Sequence, residues 1–145
     1  MSDISDTTEN ALMLLIFNAT AWANYADNAA SAPQTLTALA LHTADPGDAG
    51  TMSTSEATYT SYARASANRA SGAGGWTVTN GVAALATAVS FAAGTGGSGT
   101  VTYFTAGKTG GGATAVLWRG AVTPNIVTGN GVTPQLTTAT QFSLA

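Results

Sequence analysis

His42 is the only histidine in the chain, so base-dependent chemistry must centre on it. Asp45 and Asp48 follow closely and serines are plentiful. A Ser-His-Asp triad can therefore be drawn on paper, the imidazole taking the serine proton and a carboxylate orienting it. No nucleophile-elbow motif accompanies these residues, and a histidine at a strand end beside a turn accounts for them equally well. A hydrolase would require His42 within hydrogen-bond reach of both a serine and an acid.

Asp45, Asp48 and Glu56 are the acids available for a carboxylate pair or for calcium, whose hard oxygen ligands loops often supply. Asp45-Pro46-Gly47-Asp48 lacks the alternating ligand spacing of an EF-hand and reads as a plain turn. Gly107-Lys108-Thr109 shares only a fragment of a phosphate-binding loop and lies between expected strands, where that motif needs a strand followed by a helix. Trp22, Tyr25, Tyr59, Tyr62, Trp76, Tyr103 and Trp118 would make a sugar-binding platform if several lined one groove, but rings scattered in this way more commonly pack cores and interfaces. Cysteine is absent, which excludes disulfides and thiolate metal sites. The reading is a protein without catalytic residues, cofactor or metal.

Composition supports that reading. Only 8% of the residues are charged, against about 25% in an average soluble domain. With 45% hydrophobic residues and a net charge of −3 the chain should fold, behind a surface of Thr, Ser, Asn and Gly. So little charge repulsion favours association with copies or partners. Asp3, Asp6, Glu9, Asp27, Asp45, Asp48 and Glu56 all precede Arg64, Arg69, Lys108 and Arg119, an order that arises by chance or reflects pairing between the two segments. No clustered basic footprint for nucleic acid is present. Met1 to Asn10 lacks the basic start of a secretory signal, and Ala11 to Phe17 is too short to span a bilayer.

The elements that must position these residues begin with a helix. Asp6 followed by Glu9 fits a capping pair, and acids suit the positive end of the helix dipole. Leu12, Leu15, Ile16, Ala19, Trp22, Ala23 and Ala26 then form a stripe at helical spacing. Met13, Leu14 and Phe17 fall on the opposite side, so the first turns are apolar all round. One face is therefore expected on the domain's own sheet and the other, carrying Met13, Leu14 and Phe17, against a neighbouring subunit, the alternative being a helix tucked under a loop. On that reading Phe17→Asp weakens association more than folding. Pro33 ends the helical region.

Strands and turns follow: Thr35 to Thr43, the Asp45-Pro46-Gly47 turn, Thr58 to Asn68 bent near Ser61, and Trp76 to Thr79 before an Asn80-Gly81 turn. The second half of Val82 to Ala92, Gly99 to Ala106, Ala113 to Val122 and Thr137 to Leu144 complete the set. Val122-Thr123-Pro124 and Val132-Thr133-Pro134 read as short edge pieces about a hairpin turn at Gly129-Asn130-Gly131. The expected fold is mainly β: an antiparallel β-sandwich or partly closed barrel of about 6–8 strands with an N-terminal α-helix. An arm and helix would occupy residues 1–33 and the sandwich residues 34–145.

Leu41-His42-Thr43-Ala44-Asp45-Pro46-Gly47-Asp48-Ala49-Gly50, followed by Tyr62-Ala63-Arg64, resembles a family of small tailed-bacteriophage and prophage virion proteins. Thr100-Val101-Thr102-Tyr103-Phe104, Leu117-Trp118-Arg119-Gly120 and Gly131-Val132-Thr133-Pro134 continue the likeness in order. The resemblance implies a non-enzymatic virion component assembled in the host bacterial cytoplasm, with Asp45, Pro46, Gly47, Gly50, Tyr62 and Arg64 as structural motif positions. Arg64 is expected to pair with an acid. The leading expectation is a capsid-decorating (cement) protein, a homotrimer bound to the major capsid protein or other virion proteins. The second is a tail-fibre or tail-tip component, and a third, of another class, is a host-surface glycan-binding module.

Overall fold

The computed structural model describes residues 4–30 and 32–144; the acid Asp3 lies outside them. Helix α1 spans Asp6–Asn18, with Ser5 at its N-cap in extended conformation and Asp6 and Glu9 in the first turn. The cap is thus Ser5 rather than Asp6, while both acids still lie at the positive end of the dipole. Ala19 adopts the left-handed conformation at φ 54°, and the Thr20 N–H reaches back to the Leu14 carbonyl at 3.1 Å. This Schellman-type closure ends the helix well before Trp22, Ala23 and Ala26, where periodicity alone would have carried the stripe.

The chain forms two compact units. The first comprises Met1–Thr35, Ala67–Ala88 and Thr137–Ala145. In it β3 (Trp76–Thr79) and β4 (Val82–Leu85) make a hairpin, and β9 (Gln141–Ser143) adds to β4, all antiparallel. Asn80 and Gly81 both have positive φ, 50° and 73°, the pattern of the two-residue turn that matches strand twist. A side chain at Gly81 would also lie 2.9 Å from the Cβ of Glu9 on α1. This turn folds Val82 straight back onto Thr79, so pairing occupies the first half of Val82 to Ala92 and not only its second half. The opposed residues Trp76 and Leu85, and Ala83 and Phe142, share one face of this sheet and are buried.

Phe17 seats α1 in this aromatic core, its ring 4.6 Å from Trp76 and 5.7 Å from Phe142. Met13 and Phe17 are the buried residues of the helix, whereas Leu12, Leu14, Leu15 and Ile16 are half-buried. The inward face is therefore the one expected to point outward, and Met13 and Phe17 are not presented to a neighbour in this chain.

The C-terminal end of α1 has no basic residue of its own. Arg69 supplies one from a distant part of the sequence. Its Nε donates to the Ile16 carbonyl at 2.6 Å, its Nη2 donates to Leu15 O, and its Nη1 donates to Asn28 Oδ1 and Gln34 O. A guanidinium here satisfies orphan carbonyls and meets the negative end of the helix dipole.

The second unit comprises Leu36–Ser66 and Val89–Leu136. Its main strands are β1 (Leu36–His42), β6 (Gly99–Lys108) and β7 (Val116–Thr128), antiparallel in the order β1-β6-β7. β1 is buried from Thr37 to His42, as a strand covered on both faces should be. β7 is an edge strand in which Val122 to Asn125 bulge opposite Thr102, since Val101 pairs with Ile126 and Tyr103 with Ala121. Pro124, which has no N–H to give, sits in that bulge. Val132-Thr133-Pro134 leads instead into β8 (Gln135–Leu136), which pairs with β5 (Val89–Ser90). The two Val-Thr-Pro stretches therefore join different partners and do not flank a common hairpin. Of the expected strand Thr58 to Asn68 only Ala65–Asn68 forms a strand, β2, while Thr60 makes a single antiparallel bridge to Gly96 and Ser61 at φ 77° turns the chain between them.

The fold is mainly β, antiparallel, with one N-terminal helix; among the described residues there are nine strands, and no sheet closes into a barrel. No described helix is long and apolar enough to cross a membrane.

Candidate functional site

The residues with the most distinctive chemistry gather in the second unit, around the loop that runs from Thr43 to Ala57. Its first turn is built locally: Asp45 Oδ1 accepts the Gly47 N–H at 2.9 Å, Gly47 has φ 73°, and the Gly50 N–H donates to Gly47 O at 3.2 Å. A Cβ at Gly50 would sit 2.0 Å from the Pro46 carbonyl oxygen, so no other residue fits without moving backbone. Arg119 on β7 spans the turn, Nη1 reaching Asp45 and Nη2 reaching Asp48, each at 2.6 Å. Asp48 is 94% exposed, so this fork is screened by solvent and stabilises little.

The middle of the loop is held by packing. The Met52 N–H donates to Thr114 O at 2.9 Å, and the Met52 side chain is fully buried against Ala38, Ala40 and Val116. Small residues on β1 and the bare Gly107 on β6 leave its space: a Cβ at Gly107 would come within 2.5 Å of the Met52 sulfur.

His42 fastens the loop's far side from the end of β1. Its Nδ1 lies 2.7 Å from Thr54 O, and a carbonyl can only accept, so Nδ1 carries the proton. Nε2, 2.8 Å from Thr105 Oγ1, then accepts from that hydroxyl. The ring is fully buried. Burial lowers its pKa below the usual 6.5, against the opposing influence of the Thr54 hydrogen bond and Glu56 and with a smaller push from Arg64. The neutral form is the folded form, so the sign is fixed: stability is constant above about pH 6.5 and falls as pH drops below it, where the unfolded chain binds the proton the folded chain resists. Urea midpoints measured from pH 7.5 to 5 should fall for the wild type, and the fall should be smaller for His42→Gln. Parallel curves would assign the acid sensitivity elsewhere.

The loop's end is clamped by charge. Arg64 donates from Nε and Nη2 to the two oxygens of Glu56 at 2.6 and 2.8 Å, and Nη2 also reaches Ser53 Oγ at 3.0 Å and Gly112 O at 2.8 Å. The Tyr62 hydroxyl donates to Glu56 Oε1 at 3.0 Å and accepts the Leu41 N–H at 3.1 Å. Burial, with Glu56 beside it, pushes the Tyr62 phenol well above its usual range, which keeps it a neutral donor. Its ring stacks on Phe91 and meets Tyr59 edge-on.

The motif positions Asp45, Pro46, Gly47, Gly50, Tyr62 and Arg64 thus belong to one device that fixes a loop and, through Gly112, the neighbouring glycine-rich loop. Glu56 and Ser53 complete it from outside any motif, and Arg119 completes it from the Leu117-Trp118-Arg119-Gly120 string. The signal for Glu56 was the order of charges along the chain, since acids before residue 57 pair here with arginines after it; Ser53 carried none. His42 is bound by a threonine hydroxyl and a carbonyl, not by a serine and an acid, so the triad geometry is not formed. Among the described residues no cluster of His, Asp and Glu is arranged to hold a metal ion. Gly107 and Lys108 end a strand, with no helix after them. Leu14, half-buried, lies with Met13 and Phe17 in the first unit, whereas this network belongs to the second.

Residues 3–140 match a family model described as Podophage GP4 fiber I protein gp80. A search of curated proteins found no match.

Proposed function

This chain belongs to the podophage GP4 fiber I protein gp80 family, and on that premise we propose that it is a rigid β-module of a phage tail fibre, held there by contacts with other virion proteins. As a phage fibre protein it is a non-enzymatic structural component of the virion. Capsid decoration, which the sequence alone places first, gives way to the fibre, its second alternative, because the matched family is a fibre family and the match covers nearly the whole chain.

The observation that carries the reading within the molecule is how its few charged side chains are used. Arg64, Arg69 and Arg119 are each committed to holding a loop or a helix end, and His42 is neutral and buried. Groups spent on fixing shape suit a part whose work is to hold geometry. Association of copies as a homotrimer is part of this proposal, supported by the shortage of repelling charge.

Immunogold labelling and cryo-electron imaging of purified virions test it. Label should lie on fibres, and averaged fibre density should show three copies at each position. Label confined to the head would overturn the fibre assignment, and one copy per position would remove the trimer.

A further inference from the structure

The geometry points to a binding site for neutral saccharide on the turn that follows α1, with the ring face of Tyr25 as its platform. Tyr25 is 80% exposed and stacks on the half-buried Trp22, the centroids 4.8 Å apart and the planes inclined by 26°. The turn beneath them is closed by backbone hydrogen bonds: Trp22 N–H donates to Ala26 O at 2.7 Å, Ala26 N–H to Trp22 O at 2.9 Å, and Tyr25 N–H to Trp22 O at 3.0 Å. Asn24, between Trp22 and Tyr25 in the chain, takes the left-handed conformation at φ 66°. Asp27 closes the segment, its Oδ1 accepting the Ala29 N–H at 3.2 Å.

Trp76, Tyr59 and Tyr62 are explained by packing, whereas burial does not account for Tyr25. A ring that already stacks on its neighbour has less rotamer freedom to lose, which lowers part of the cost of binding. The hollow beside it, lined by Ala21 to Asp27, measures about 350 Å³, near the lower end of the roughly 300–1,000 Å³ usual for small-molecule sites.

The occupant follows from what surrounds the rings. A protein partner needs a patch of about 800 Å² with an apolar centre. Here the neighbours are the methyl groups of Ala21, Ala23 and Ala26 and the polar Asn24 and Asp27. A pyranose offers what this arrangement takes: an apolar C–H face to lie on the ring, and hydroxyls for the amide and carboxylate at its edge. Asp27 is the charged residue of the segment and the chain carries a net charge of −3, so sulfated or phosphorylated sugars are disfavoured.

The test is titration of the full chain with maltohexaose, with chitohexaose and with heparin, followed by tryptophan emission and by NMR signals of the Tyr25 ring. At least one neutral oligosaccharide should bind, with Kd of about 1 mM, while heparin neither binds nor competes. Tyr25→Ala should weaken binding about tenfold and Tyr25→Phe by less than about threefold, since the ring face carries the contact. Tyr25 is too exposed for either change to unfold the chain, and circular dichroism checks this. No binding by either neutral oligosaccharide, binding by heparin alone, or wild-type affinity in Tyr25→Ala would each overturn the site.

Discussion

Phe17→Asp is expected to unfold the first unit. Phe17 is 1% exposed and packs on Trp76 and Phe142. Removing such a ring costs about 3–5 kcal/mol in a core, and a carboxylate left there must either stay charged without a partner or take up a proton. The sum approaches the about 5–15 kcal/mol by which whole domains are stable. Trp76 emission and far-ultraviolet circular dichroism should report loss of this unit at a lower urea concentration, or in buffer alone. Leu14→Asp, at a half-buried position, should cost much less. A Phe17→Asp protein with the wild-type unfolding midpoint and a lower oligomer mass would reverse this and return Phe17 to a contact surface.

Arg64→Ala should be the most damaging single change in the second unit, at about 3 kcal/mol, the scale of breaking a largely buried ion pair from one side. Arg64 and Glu56 side chains are only 15% and 18% exposed. Without the arginine, Glu56 keeps its charge inside with only Tyr62 to answer it, and Ser53 and Gly112 lose their shared tether. Removing the charge as well, in Arg64→Met with Glu56→Leu, should restore much of the loss, because the unpaired carboxylate is then gone. Limited proteolysis should cut Arg64→Ala first between Thr43 and Ala57 or between Thr109 and Thr114. Arg119→Ala, by contrast, should change stability little and lose even that in high salt, since its pairs lie in solvent. Equal losses for Arg64→Ala and the double variant would show that packing, not charge, holds the loop.

Several elements could be read from the chain directly. β1, β3 and β6 show alternation or continuous apolar runs, and the Asn80-Gly81 and Asp45-Pro46-Gly47 turns depend on backbone preferences of a few adjacent residues. The mainly β character, the N-terminal helix and the phage virion assignment were legible for the same reason: each signal is local or is an ordered string of local signals. A pairing of early acids with late arginines was legible as a pattern, though not which acid met which arginine.

Tertiary structure decided the rest. α1 is apolar on every side from Ala11 to Phe17, so no periodicity could choose its inward face; the choice was made by Trp76 and Phe142, which close around Met13 and Phe17 from distant strands. Arg69 caps a helix whose last turn lies far earlier in the chain, and no spacing rule connects them. His42 had a plausible chemistry in sequence and a structural one in space, because the reach of an imidazole is only a hydrogen bond and Thr54 and Thr105 are the groups within it. Local propensity acts over a few residues, whereas a side chain's partner is chosen by which distant segments the folded backbone brings within a few ångströms.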